Sequence, residues 1–495
     1  MKTKLDVLFI NPSSAEANYQ DLSINYSAAE PPIWIGLLAS HVKSKGFTAE
    51  VIDCEALHMD DTTATYHAAR MEPRLICFVI YGQHPSASIQ NMTGAVRLAE
   101  KMKEQNSNCK IMFIGGCVAA HPIDILQKHR CIDFVAQNEG VYTLSALLAT
   151  SELTKVPGLA FRYLDNIVTN HPSDIVSNEL MNKDLPGIDW DILPLSEYRT
   201  SLWHALSNNN ERQPFASIYT SLGCPYKCSF CCINIINRTY NAVANESNIY
   251  RRWSPEFILL QLDKLATIGV VNLKIADELF VLNPNHFLKI CEGIIARGYK
   301  FNIWCYARID TIKPEYLATM KKAGVNWLAL GIESANKKVR SDVTKGKFED
   351  VDIDNIIATI KLADINIIAN YIFGLPEDTL ETMQETLDLA IRLNTEEANF
   401  YCAMAYPGSQ LEYETKYQLL PKTYSGYSQH SYDCQPLPSK YLFADEVLRF
   451  RDNAWMKYHT NPIYLEMIKS KFGEEAYQRT LDSTKIKLKR KLLGD

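Results

Sequence analysis

Little in this sequence favours a membrane, a secretory route or a nucleic-acid partner. Apolar residues make up 47% and charged residues 22% of the 495, an ordinary globular balance that argues against long disorder and against a transmembrane segment. Net charge is scarce: 51 Lys and Arg against 57 Asp and Glu leave −6, so no basic field exists to gather a phosphate backbone, and nucleic acid is not an expected partner. The opening stretch, Met1 to Ile10, carries two lysines and an apolar run too brief for a signal-peptide core. It reads as a strand, and the chain as cytoplasmic. The thirteen cysteines are odd in number and scattered, which disfavours a disulfide framework and makes a metal site the better use of any cluster among them. No short repeat or low-complexity tract interrupts the chain.

What is present is length and alternation. A chain of 495 residues exceeds what one core supports, so two large domains and an appendage are expected. Residues 1–150 alternate β-branched runs with helical patterns: strand Asp6–Asn11, helix Trp34–Ser44, strands Ala49–Asp53 and Leu75–Tyr81, helix Ile89–Glu104 and strand Lys110–Ile114. This α/β pattern predicts a doubly wound, Rossmann-like parallel sheet. Ligands then sit beyond the carboxyl ends of the strands, in the loops Asn11–Ser14, Gly82–Ser88 and Gly115–Cys117. Gly115 and Gly116 would let the backbone approach a large flat ligand, or simply make a tight turn. Residues 151–200 read as a proline-rich connector that opens with a strand pair near Gly158–Val168. Residues 201–410 then give six βα units, a partial TIM-like barrel, with Ser254 and Pro255 opening one of its helices. Residues 411–495 read as a mostly helical region closing the barrel mouth. The terminal run Lys485, Lys487, Lys489, Arg490 and Lys491 is either a partner or membrane surface or a solvated terminal helix.

The chemistry concentrates in Ser221-Leu-Gly-Cys224-Pro-Tyr-Lys-Cys228-Ser-Phe-Cys231-Cys232, which follows the first barrel strand and so lies where active sites of such folds gather. Three thiolates hold three irons of a 4Fe-4S cluster and leave the fourth iron open to a ligand. Zinc would want a fourth ligand and a second cysteine pair, and none is evident. Cys232 reads as a buried thiol.

The spacing Cys224, Cys228, Cys231, with Phe230 before the third cysteine, resembles the radical S-adenosylmethionine superfamily. That resemblance implies that S-adenosylmethionine chelates the open iron and is reductively cleaved to a 5′-deoxyadenosyl radical, with an electron donor such as flavodoxin or ferredoxin. Further positions are similar to the family's binding elements. Asp277 and Glu278 stand where a glycine-rich motif holds the amino group of the ligand, although they could merely cap a turn. Glu333 or Ser334 would meet the ribose or carboxylate. Asn370-Tyr-Ile372-Phe-Gly374-Leu-Pro-Glu377 resembles an adenine-contacting element. Arg308 would pair with a carboxylate or phosphate, or form a surface salt bridge. No residue is assigned as a catalytic acid or base.

The first domain resembles cobalamin-binding domains in Pro31–Ala39, Gly46–Asp53, Gly115-Gly116 and Asp133–Gly140. It departs from them after the first strand, where the histidine that ligates cobalt is missing from Ile10-Asn11-Pro12-Ser13-Ser14. The expected cofactor is therefore histidine-off cobalamin resting on Asn11, Ser86, Ser88, Gly115 and Gly116, with His84 as the nearest alternative ligand; Ser88 could equally cap the helix beginning at Ile89. Taken together, the resemblance implies a C-methyltransferase in which cobalamin delivers a methyl group to a carbon radical of a small-molecule substrate. The alternatives are oxidative cyclisation or rearrangement without methyl transfer, and a non-catalytic redox sensor.

Overall fold

The computed structural model describes residues 5–82, 85–164, 166–237, 250–344 and 350–495. Its first sheet contains β1 (Val7–Asn11), β2 (Ala49–Asp53), β3 (Leu75–Ile80), β4 (Ile111–Gly115), β5 (Phe134–Ala136), β6 (Leu159–Tyr163) and β7 (Asn166–Thr169), in the order β2-β1-β3-β4-β5-β6-β7. Strands β1 to β5 are parallel. The central strand β3, Leu-Ile-Cys-Phe-Val-Ile, is buried at every position, as a strand covered on both faces must be. One face packs Phe78, Ile80 and Phe113 under the helices Asp61–Met71 and Met92–Gln105. The other packs Val7, Phe9 and Val79 under the helix Ile33–Ser44.

That second core does not stop at the domain edge. It runs through Leu185, Ile188, Trp190 and Leu193 of the proline-rich connector into the barrel. The connector is thus a packed seam, and the place of Gly36 shows how tight it is: a Cβ there would lie 2.5 Å from Ile188.

The barrel half contains β8 (Phe215–Ile218), a small antiparallel ribbon of β9 (Ser221–Leu222) and β10 (Arg251–Arg252), and then β11 (Asn272–Ile275), β12 (Asn302–Arg308), β13 (Val325–Glu333), β14 (Asn366–Phe373) and β15 (Glu397–Cys402). Strand β8 and strands β11 to β15 form an open, all-parallel six-stranded sheet in sequential order, the partial barrel expected from the alternation. Ser254 caps its helix by accepting from the Phe257 amide, with Pro255 at the first position.

Four expectations change. The hairpin β6–β7, taken as the start of the connector, extends the first sheet by pairing antiparallel with β5. The helix expected from Ile89 begins at Met92, after a 3-10 segment Pro85–Asn91, because Ser14 from the loop after β1 takes the Gly94 amide at 3.0 Å. The basic tail is not a solvated helix, since the last long helix ends at Thr484. Within that tail Arg490 is 1% exposed and forks onto Asp452, so only its lysine neighbours remain on the surface. The C-terminal region also does more than cover the barrel. Helix Ala444–His459 packs on β15, while Ser428 donates to the Asn18 carbonyl and Gln20 to that of His430, strapping the first domain to the second. No helix among the described residues is long and apolar enough to cross a membrane.

Candidate active site between the two sheets

The cysteine loop leaves β8 through Thr220, Ser221 and Gly223, and two acids after β11 hold it there. Asp277 accepts from the Thr220 amide, the Thr220 hydroxyl and the Ser221 hydroxyl, each at 2.6 Å, and Glu278 accepts from the Gly223 amide at 3.0 Å. Both oxygens of Asp277 are therefore engaged with protein rather than with the space a ligand would fill. Burial pushes the Asp277 carboxyl up to about 6 against its three donors, and that of Glu278 up to about 8. Farther along, Ser229 donates to Val343 and receives the Leu411 amide, and Phe230 packs among Ile372, Leu375, Val339 and Leu411. Ile372 is thereby placed against the cluster loop, and Phe230 serves as its apolar anchor.

Cys224, Cys228 and Cys231 are half-buried free thiols, and Cys232 is buried. Burial pushes Cys224 up to about 11 and Cys228 up to about 12, so the metal-free loop carries neutral thiols and metal binding must release protons. Among the described residues no three His, Cys, Asp or Glu side chains close around a single ion. Three cysteine thiols on one loop, each able to ligate a separate iron, are a donor set that fits a cubane with its fourth iron open.

Above the loop, Arg308 at the end of β12 forks onto Asp310 and lies 3.4 Å from the ring centre of Tyr226. Glu333 ends β13 with φ +66, a strained conformation for a residue with a side chain, and burial pushes its carboxyl up to about 7. Ser334 turns the other way: it is fully buried, with its hydroxyl near that of Thr386 and accepting from the Asn336 amide. Gly374 has φ +77, and a Cβ there would meet Val447 at 2.5 Å, so its glycine is required by the C-terminal helix.

The first sheet contributes a cleft with about 840 Å³ of atom-free space, part of it open to solvent. Asn11, Pro12, Val79, Tyr81 and Gly82 from the ends of β1 and β3 line it, together with Asn18, Glu30, Trp34, Glu55 and Gln90, and Tyr219 closes it from the barrel side. Trp34 stacks on Tyr81 at 4.5 Å and lies 6.4 Å from Tyr219. Asn11 is held by Asp53, whereas Oδ1 of buried Asn18 has no partner within the chain. A cleft of carboxamides, aromatic faces and the carboxyls of Glu30 and Glu55, with one orphaned acceptor, fits an amide-fringed ligand that offers donors as well as a flat face.

The third expected loop stands apart from this cleft. Gly115 exists because a Cβ would lie 2.0 Å from the Ile80 carbonyl, and Gly116 faces Ser88 and Ile235. Ser88 is buried beside Cys117 and caps no helix. Ser86 falls in the 3-10 segment with its side chain outside the described residues, as is His84 entirely.

Sequence reading missed Tyr219, the Trp34–Tyr81 stack and the buried ion pair of Lys274 with Glu30 at 2.6 Å, which joins the two domains beneath the cleft. A signal for the last existed: Lys274 is a single charge in the middle of a short strand, and such a residue is buried only when paired.

The loop that carries three half-buried thiols and the cleft at the carboxyl ends of β1 and β3 thus meet at Tyr219. Comparison with known proteins makes this specific. A B12 binding domain model matches residues 20–148 and a radical SAM superfamily model residues 218–390. The chain is 24% identical over 399 residues to an uncharacterized methyltransferase of Pyrococcus horikoshii, covering 79% of this chain and 80% of that one. It is 25% identical over 438 residues to the anaerobic magnesium-protoporphyrin IX monomethyl ester cyclase of Cereibacter sphaeroides, covering 85% of this chain and 65% of that one. The fold is that of the radical S-adenosylmethionine methyltransferase TsrM from Kitasatospora setae, solved with cobalamin and a [4Fe-4S] cluster bound, at TM-score 0.63, 17% identity and coverage of 83% and 74%. The chain is a radical S-adenosylmethionine enzyme carrying a B12-binding domain, and these two domains indicate a 4Fe-4S cluster, S-adenosylmethionine and cobalamin as its cofactors.

Proposed function

We propose that this enzyme is a C-methyltransferase acting on an unactivated carbon of a small-molecule substrate. The observation that carries the reading is Tyr219, which closes the cleft at the ends of β1 and β3 and stands five residues before Cys224, so that the two cofactor sites share one wall. When bound, the cluster supplies the electron that splits S-adenosylmethionine, and cobalamin carries the methyl group. The chain's own residues orient and enclose. Cys224, Cys228 and Cys231 would hold the cluster; Asp277 and Glu278 fix the loop that presents it; Glu333 and Arg308 stand at its rim, within reach of a ligand's polar groups.

The cobalamin of this reading is histidine-off. Among the described residues no histidine lines the cleft, and His430, whose ring lies 5.8 Å from that of Tyr19 on the cleft wall, accepts from Arg451 through Nε2. Asn11 and Asn18 are the proposed contacts of the cofactor within the cleft, while Ser86, Ser88, Gly115 and Gly116 are proposed to meet the part of it that extends beyond the cleft. A flavodoxin or ferredoxin would deliver the electrons, and the reducing cytoplasm is the compartment in which such thiols persist.

The cyclase relative supports a second reading, ring formation or rearrangement without methyl transfer. Product analysis separates the two. Reconstituted enzyme given dithionite, S-adenosylmethionine, cobalamin and an acceptor should yield 5′-deoxyadenosine and S-adenosylhomocysteine in equal amounts; 5′-deoxyadenosine with no S-adenosylhomocysteine would favour the cyclase.

A further inference from the structure

Arg308 is held on two sides at the end of β12. Its Nε and Nη2 fork onto the Asp310 carboxylate, and its Cζ lies 3.4 Å from the centre of the Tyr226 ring. Tyr226 is the middle of the three residues between Cys224 and Cys228, so the guanidinium lies against the arc that the first two cysteines span. With 8% of its surface exposed, little water screens its charge. A guanidinium stays protonated at any working pH and stacks flat on an aromatic face, which makes it a fixed cation at a fixed place. Asp310 fills the Nε/Nη2 edge of the guanidinium, so a ligand carboxylate would have to meet its Nη1 side. Glu333 acts on the Cys228 thiol with the opposite sign.

We propose that Arg308 is a positioning residue that sets the reduction potential of the cluster, raising it by holding a permanent positive charge against the Cys224–Cys228 arc, with Asp310 partly offsetting that charge. The inference rests on the reading of Cys224, Cys228 and Cys231 as cluster ligands. The step concerned is uptake of one electron from an external low-potential donor; no bond forms or breaks and no proton moves. Added negative charge on a cluster is stabilised by a nearby cation, and net charge with hydrogen bonds to sulfur are what tune such potentials.

The test is a redox titration, read by electron paramagnetic resonance, of full-length protein reconstituted with iron and sulfide and without S-adenosylmethionine. Arg308→Gln should make the oxidised cluster about tenfold harder to reduce, a shift of ~59 mV to more negative potential for a one-electron couple. Arg308→Lys keeps the charge without the flat stack and should move less in the same direction. Asp310→Asn should shift the midpoint to more positive values, and it carries the test alone if Arg308→Gln loses its cluster. A residue that only packs the loop would not give shifts of opposite sign. Midpoints that stay put, or that move the same way in Arg308→Gln and Asp310→Asn, overturn the inference while leaving the cluster reading intact. Wild-type protein that assembles no cluster on the three cysteines overturns both.

Discussion

The two parallel sheets turn the same carboxyl edge toward the shared cleft, yet they build their halves of the site from different materials. The barrel half is made of ionisable side chains in apolar surroundings: three thiols on a loop pinned by Asp277 and Glu278, with Glu333 and Arg308 at the rim. The first half relies more on shape, with Gly115 allowing β4 to lie against β3 and with carboxamides and stacked rings lining the cleft beside Glu55 and the paired Glu30. One half is arranged to hold a small, highly charged inorganic group by covalent ligation. The other is arranged to accept a large organic surface by contact. The difference teaches that the same topological position can be specialised by the sequence of its loops alone.

If the comparison holds, substitutions should separate the two cofactors. The largest effect is expected from Cys224→Ala, Cys228→Ala or Cys231→Ala, each of which should abolish the cluster absorbance and 5′-deoxyadenosine formation while cobalamin still co-purifies; iron and corrinoid analysis of the same sample reads both. Asp277→Ala comes next. It strands three buried donors, each costing ~1–3 kcal/mol when left unpaired, so iron loading should fall and the melting temperature drop, with Asp277→Asn recovering part of both. Gly115→Ala should do the converse. At φ +150 a side chain is strained by about 1–3 kcal/mol before its clash with Ile80 is counted, so cobalamin retention should suffer and iron content stay near wild type.

The smallest expected effect lies at the amino edge of the barrel sheet, where β12 begins. His204 is fully buried, hydrogen-bonded to the Thr200 hydroxyl and the Asn302 carbonyl, and burial lowers it to about 3. The unfolded chain takes up a proton near pH 6.5 and the folded one does not until about 3. Stability from this group is thus complete above pH 6.5 and declines as pH falls through that window, by at most about 1.4 kcal/mol per pH unit. His204→Gln should flatten the acid side of a melting-temperature profile relative to wild type.

The same contrast explains how much could be read from the sequence. The cysteine loop was legible because its chemistry is local: three thiols within eight residues, placed after a strand by the surrounding alternation. Strand β2, Ala49–Asp53, and the N-cap at Ser254 were legible for a similar reason, being set by neighbours within a few residues. The cleft was not, because Trp34, Tyr81 and Tyr219 come together only through folding, and nothing local marks Asn18 as an orphaned acceptor. Asp277 and Glu278 were recognised as belonging to the site, but their role depends on Thr220, Ser221 and Gly223, more than fifty residues away. Gly374 reads as a ligand contact in the sequence, and nothing local shows that a Cβ there would also meet Val447 of the C-terminal helix at 2.5 Å. The strand pair β6–β7 was visible, whereas its allegiance to the first sheet was decided by the free edge of β5.

The most direct test of methyl transfer needs no knowledge of the substrate. Reconstituted enzyme carrying reduced cobalamin is mixed with S-adenosylmethionine bearing a deuterated methyl group, and the corrinoid that remains on the protein is analysed by mass spectrometry together with the nucleoside products. The account predicts the deuterated methyl on protein-bound cobalamin with a matching amount of S-adenosylhomocysteine. Cobalamin that stays bound and unlabelled while S-adenosylmethionine is still cleaved to 5′-deoxyadenosine would contradict it.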